Sequence, residues 1–136
     1  TAVHSELSDR GSSDAVRQWA SALPAWITVQ EPTASPQLLS GLHRGEIDAI
    51  ALAEELHAGL VLMDDAAGVR YALERGLTIT GTLGVLVEAA QNGWVQIEAA
   101  LSKLKGTDFR ATAGLYERAR QLAFAKPPIP PRRTQE

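Results

Sequence analysis

The chain has 136 residues, 45% apolar and 21% charged, which is the size of one domain with enough apolar side chains for a buried core. It has no cysteine, which excludes a disulfide scaffold, a thiolate zinc site and a cysteine nucleophile. The net charge is −3; the last eleven residues carry Lys126, Arg132 and Arg133 against Glu136, a net of +2, so the remainder stands at −5 and offers no broad basic face for nucleic acid.

No run of about 18 apolar residues is present, so no membrane span is expected. Residues 1–10 lack the basic-then-apolar order of a secretion signal. The lack of cysteine suits a reducing compartment, and a cytoplasmic protein is expected.

In chain order, residues 1–8 read as the end of a helix, with Val3 and Leu7 on one face and no cap at the start. Ser12-Ser13-Asp14 is a capping cluster for a helix over 15–23, with Val16, Trp19, Ala20 and Leu23 as its apolar stripe. Pro24 ends it. Residues 26–29 predict a short strand, and Pro32 and Pro36 a loop. Trp19 and Trp26 are expected in the core or over the sheet. Residues 37–43 fit a short helix or turn, broken by Gly45. Residues 46–57 are strongly helical, burying Ile47, Ile50, Ala53 and less regularly Leu56, with Gly59 just past the end.

Leu60-Val61-Leu62-Met63 is a continuous apolar run, which suits a strand buried on both faces of a parallel sheet. A helix over 67–75 follows, closed by Gly76, and then a strand over 77–80. Gly81-Thr82-Leu83-Gly84 reads as a turn into a helix over 85–91, stopped by Asn92-Gly93. Helices over 97–105 and 112–125 flank Gly106-Thr107-Asp108. Residues 126–136 contain Pro-Pro-Ile-Pro-Pro and predict an extended tail, so the domain is expected over 1–125. Strands alternating with helices mean an α/β domain with a largely parallel sheet. Three strand candidates fall short of the roughly four or more that such a sheet usually has.

In open α/β sheets, ligands sit beyond the carboxyl ends of the strands. Asp64 and Asp65 follow the 60–63 strand and lie where site residues are expected; for either, the alternative is capping the next helix. Glu46 follows Gly45 at a helix start, where a carboxylate also favours the helix dipole. Asp48 falls on another face and is expected to be solvated. Glu6 taken alone is an ordinary surface residue. His4, His43 and His57 lack the spacing of a metal site, and residues 81–84 lack the lysine of a phosphate loop.

Several pieces then occur in a fixed order: Val3-His4-Ser5-Glu6-Leu7, GEIDAIALA at 45–53, the apolar run ending in Asp64-Asp65, Arg70 in the next helix, GTLGVL at 81–86, and the closing stretch 109–122. Together they resemble the PIN-domain proteins, in the subfamily of predicted nucleic-acid-binding proteins related to toxin-type ribonucleases. The resemblance covers nearly the whole chain except the tail. It implies a three-layer sandwich with a short, mainly parallel sheet flanked by helices. It also implies a divalent-metal-dependent nuclease, usually acting on RNA, with three or four carboxylates around Mg²⁺ or Mn²⁺. Such hard ions prefer oxygen ligands, activate a bound water and stabilise charge on the scissile phosphate.

Carried over by motif, Glu6, Glu46 and Asp64 would hold the metal. With Asp65 beside them they would form the catalytic acidic set, and Arg70 would contact a phosphate or make a structural salt bridge. The implied substrate is single-stranded or structured RNA. A toxin of a toxin–antitoxin pair would bring an antitoxin protein as partner; a homodimer or a complementing chain is also expected. The family opens with a strand that carries an Asp, and nothing here matches it. The expectation is a sheet lacking its first strand, in a fragment of a longer product. The alternative function is a catalytically inactive interaction module on the same fold, favoured by the unmatched Asp and the acidic body.

Overall fold

The structure, a computed structural model, describes residues 1–34 and 41–125. The expected turn at 37–43 lies outside the described residues as far as position 40, and the expected tail at 126–136 lies wholly outside them. The chain divides into two units, Thr1–Ile79 and Thr80–Glu136.

The first unit opens with α1 (Ala2–Ser8) and α2 (Asp14–Ser21). Contrary to expectation, α1 has its own cap: the Thr1 hydroxyl accepts from the His4 N–H at 3.1 Å. Ser13 caps α2 by accepting from the Val16 N–H at 3.4 Å. The two helices are tied where His4 Nε2 donates to the Ala20 carbonyl at 3.0 Å.

The strand expected at 26–29 does not form. The Ile27 N–H closes a turn onto the Pro24 carbonyl at 2.9 Å, and none of the strands among the described residues lies beside it. β-branched residues favour a strand only where a neighbour offers edge bonds and packing. Trp19 is 45% exposed and Trp26 81%, so neither lies in the core, one of the two places expected for them.

The long helix α3 (Arg44–Glu55) buries Ile47, Ile50 and Ala53 on one face, as their spacing predicts, and Ala51 beside them. Gly45 is not a breaker; it is buried inside the first turn. The helix closes with His57 at φ 49°, so a histidine takes the left-handed position expected of Gly59.

β1 (Val61–Leu62) and β2 (Ile79–Thr80) form a short parallel sheet joined through α4 (Ala66–Glu74), and the Val61 N–H donates to the Thr78 carbonyl at 2.8 Å. Val61 and Met63 pack with Ile50 and Ala53 of α3 and Ala72 of α4. Leu60 and Leu62, one step out of phase, are 51% and 65% exposed. The run expected to be buried on both faces therefore alternates, with one face covered and the other open. Gly76, at φ 77°, ends α4 as expected. Beside it, Arg75 grips Glu54 of α3 with two bonds of 2.6 and 2.9 Å.

The second unit is helical: α5 (Thr82–Gln91), α6 (Ile97–Lys105) and α7 (Ala113–Ala125). Helix α5 starts at Thr82, not at 85, with Gly81 at its cap, so the expected glycine turn belongs to the helix. Ile97 and Leu101 of α6 meet Tyr116, Ala119 and Ala123 of α7 in the core of this unit. Arg120 bonds Glu98 at 2.7 Å, and Lys105 lies over the Tyr116 ring at 4.8 Å. The described residues thus make a mixed α/β protein with seven helices and two short strands. None of these helices is long and apolar enough to cross a membrane.

One surface contact fixes the irregular stretch before α3. The Glu55 carboxylate accepts from the Thr33 N–H at 2.9 and 3.0 Å, from the Thr33 hydroxyl at 3.1 Å and from the Ala34 N–H at 3.5 Å. The Thr33 N–H bond leads in lowering the Glu55 pKa below its ordinary value, and the Ala34 N–H and the Thr33 hydroxyl add to it. A lowered acid pKa stabilises the fold above the unfolded value, about 4.3, and that contribution is lost as pH falls through the folded value. Acid unfolding followed by circular dichroism is expected to show a shallower pH dependence below about pH 4.3 in Glu55→Gln than in the parent chain.

Candidate acidic site

β1 ends at Leu62; Asp64 follows two residues later and lies two residues before α4 begins at Ala66. Asp65 is the N-cap of that helix, with Oδ1 accepting from the Ala67 N–H at 2.8 Å and the Gly68 N–H at 2.9 Å. Short carboxylates do this well because they reach amide groups that have no partner within the helix. Asp64, just before the cap, is exposed. Glu46 sits in the first turn of α3 and folds back, so that Oε2 accepts from the His43 N–H at 2.9 Å. This is one arm of a capping box, with histidine where Ser or Thr is usual.

Two glycines bring the acidic residues together. A Cβ at Gly45 would lie 2.9 Å from Oε1 of Glu6, so the Glu6 carboxylate lies against the first turn of α3. A Cβ at Gly68 would lie 2.5 Å from the Met63 sulfur and 3.4 Å from Cγ of Glu46. Glu46 therefore reaches across to the first turn of α4, the turn that Asp65 caps. Contacts thus run from Glu6 through Gly45 to Glu46, and on through Gly68 to Asp65. Glu6, Asp64 and Asp65 are exposed and Glu46 is half-buried. Both helices turn their positive N-terminal ends toward these carboxylates, which offsets part of their mutual repulsion.

Arg70 is exposed on α4, and neither a salt bridge nor a hydrogen bond to its side chain is found among the described residues. The structural salt bridge expected as its alternative role is therefore not seen there. Asp48, expected to be solvated, keeps only 14% of its side chain exposed and pairs with Arg44 at 3.0 Å. The donors are the oxygen type that Mg²⁺ or Mn²⁺ prefers. Even so, among the described residues no group of three His, Asp or Glu side chains is placed to hold a metal ion. Glu46 and Asp65 turn toward the amides of their own helices, and that arrangement does not fit a complete ligand set.

A family model described as a PIN domain matches residues 1–124, and the chain belongs to the PIN-domain family. Membership points to a nuclease-type function on nucleic acid, and PIN domains are in general divalent-metal dependent. No curated protein and no solved structure matches the chain.

The sequence marks these acids only as candidates and gives no sign that Gly45 and Gly68 are where the neighbouring side chains come close. Both glycines lie in the first turn of a helix, Gly45 directly before Glu46 and Gly68 three residues after Asp65. The two should respond differently to substitution. Gly68→Ala drives a methyl group into the packed Met63 and is expected to cost about 1–3 kcal/mol in denaturant unfolding. Gly45→Ala meets only the movable end of Glu6, so stability should change by less than about 1 kcal/mol while Glu6 swings away. Asp65→Ala should cost about 1 kcal/mol, and Asp65→Asn, which still accepts from the amides, only a few tenths.

Proposed function

We propose that the chain is a PIN-type ribonuclease that requires Mg²⁺ or Mn²⁺, with Glu6, Glu46 and Asp64 as the carboxylates that engage the ion. The observation that supports this most is the run of close contacts from Glu6 to Asp65 across Gly45 and Gly68. It links Glu6 of α1, Glu46 of α3 and the capped start of α4 in one run of contacts, in a nuclease-type family. Two carboxylates keep an oxygen outside their cap bonds: Oε1 of Glu46 and Oδ2 of Asp65. Arg70, exposed one turn into α4 from this corner, is the candidate phosphate contact. The proposed substrate is RNA, and a toxin role with an antitoxin partner in the cytoplasm is the biological setting that fits this reading.

A second reading, a non-catalytic interaction module, draws on the cap bonds themselves, since Glu46 and Asp65 have structural work without any ion. Glu46→Gln separates the two. Glutamine still accepts from the His43 N–H, so the fold should persist with a melting temperature close to the parent's. As a nuclease, the chain should cleave single-stranded RNA only with Mg²⁺ or Mn²⁺ and lose about 100-fold or more of that rate in Glu46→Gln and Asp64→Asn. If no cleavage occurs with either ion, and calorimetry shows the same Mn²⁺ binding in parent and variants, the interaction module stands instead.

A further inference from the structure

The first unit holds a second feature, distinct from the acidic corner. A half-open cavity of about 220 Å³ lies among α1, α2, α3 and the irregular stretch at 27–32. Its walls are mostly carbon, supplied by Trp19, Leu23, Ile27, Val29, Ala49 and Leu52. Three large apolar side chains that the fold leaves exposed, Val3 at 40%, Trp19 at 45% and Val29 at 46%, all border this cavity. They are not scattered, as single exposed apolar residues usually are.

The charged and ring groups on its wall are already engaged, the Thr1 ammonium with Glu31 at 3.4 Å. Asp48 pairs with Arg44 at 3.0 Å, and His4 Nε2 donates to the Ala20 carbonyl at 3.0 Å. No lysine or arginine lines it. A charged ligand would find no opposite charge free to meet it, and burying an unpaired charge is costly. The walls are also tied in place: His4 joins α1 to α2, and Glu55 holds Thr33 just past the irregular wall. A preformed apolar cavity of roughly 150 Å³ is enough to take benzene.

We propose that this cavity is a binding site for a small, uncharged aromatic molecule of one or two rings, with the Trp19 indole as one wall. It leaves the acidic residues free, because none of Glu6, Glu46, Asp64 and Asp65 lines it. The site stands or falls independently of nuclease activity.

The test uses the full chain with indole as the probe, by calorimetry and by amide chemical shifts. Saturable one-to-one binding is expected, with shifts at Trp19, Ala49 and Leu52. Indole-3-acetate, which adds a carboxylate, should bind at least about tenfold more weakly. Ala49→Phe places a ring in the cavity and should abolish indole binding while thermal unfolding stays cooperative. The proposal is overturned if indole does not saturate, if indole-3-acetate binds equally well, or if a folded Ala49→Phe chain binds as the parent does. Should Ala49→Phe fail to fold, the comparison of the two ligands on the unchanged chain decides.

Discussion

The packing of one face of β1 against α3 and α4 is the constraint on which the first unit depends. Two strands of two residues each cannot hold themselves together in water. What holds them is Val61 and Met63 locked against Ile50, Ala53 and Ala72, the last with no exposed surface. That contact sets the register, because a slip of one residue would bring Leu60 and Leu62 inward and put Val61 and Met63 outside. It also sets the height at which α4 begins, and hence where Asp65 finds its amides. Met63 against Gly68 is the point where core packing and the acidic corner meet.

Within that frame the carboxylates have two possible duties that use the same atoms. A helix start leaves amide groups without partners, and an acid placed there satisfies them. A divalent ion asks for the same oxygens. Glu46 and Asp65 are turned to the first duty here, and each uses one oxygen for it. A corner built from helix starts is thus held by bonds that do not need an ion, and a third oxygen would have to be brought in to complete a ligand set.

The helices were legible because their signal is local. The spacing of Ile47, Ile50 and Ala53 marks the buried face of α3, and residues 97–105 are helical from the residue where the pattern starts to the one where it ends. Elements that need a distant partner were less legible. The stretch 26–29 has strand-forming residues and no edge to pair with, and its Ile27 and Val29 line a cavity instead. Glycines misled in the same way: Gly45 and Gly84 look like breakers in sequence, yet each sits inside a helix where another side chain comes close. For the site, the acids at element boundaries could be read directly. Which atoms they touch could not, because that depends on how α1, α3 and α4 approach each other.

The uncovered side of β1 has a consequence for the protein in bulk. β1 pairs only with β2 among the described residues, so its other edge is unpaired, and Leu60 and Leu62 stand exposed on its uncovered face. An apolar strand with an open edge is a template for pairing between molecules. Natural sequences guard such runs with flanking charges. Asp64 and Asp65 stand at the end of this one, so the pair that closes the strand also acts as its gatekeeper. Colloidal behaviour and the capping of α4 would then draw on neighbouring side chains, and a change made to alter one would be felt in the other.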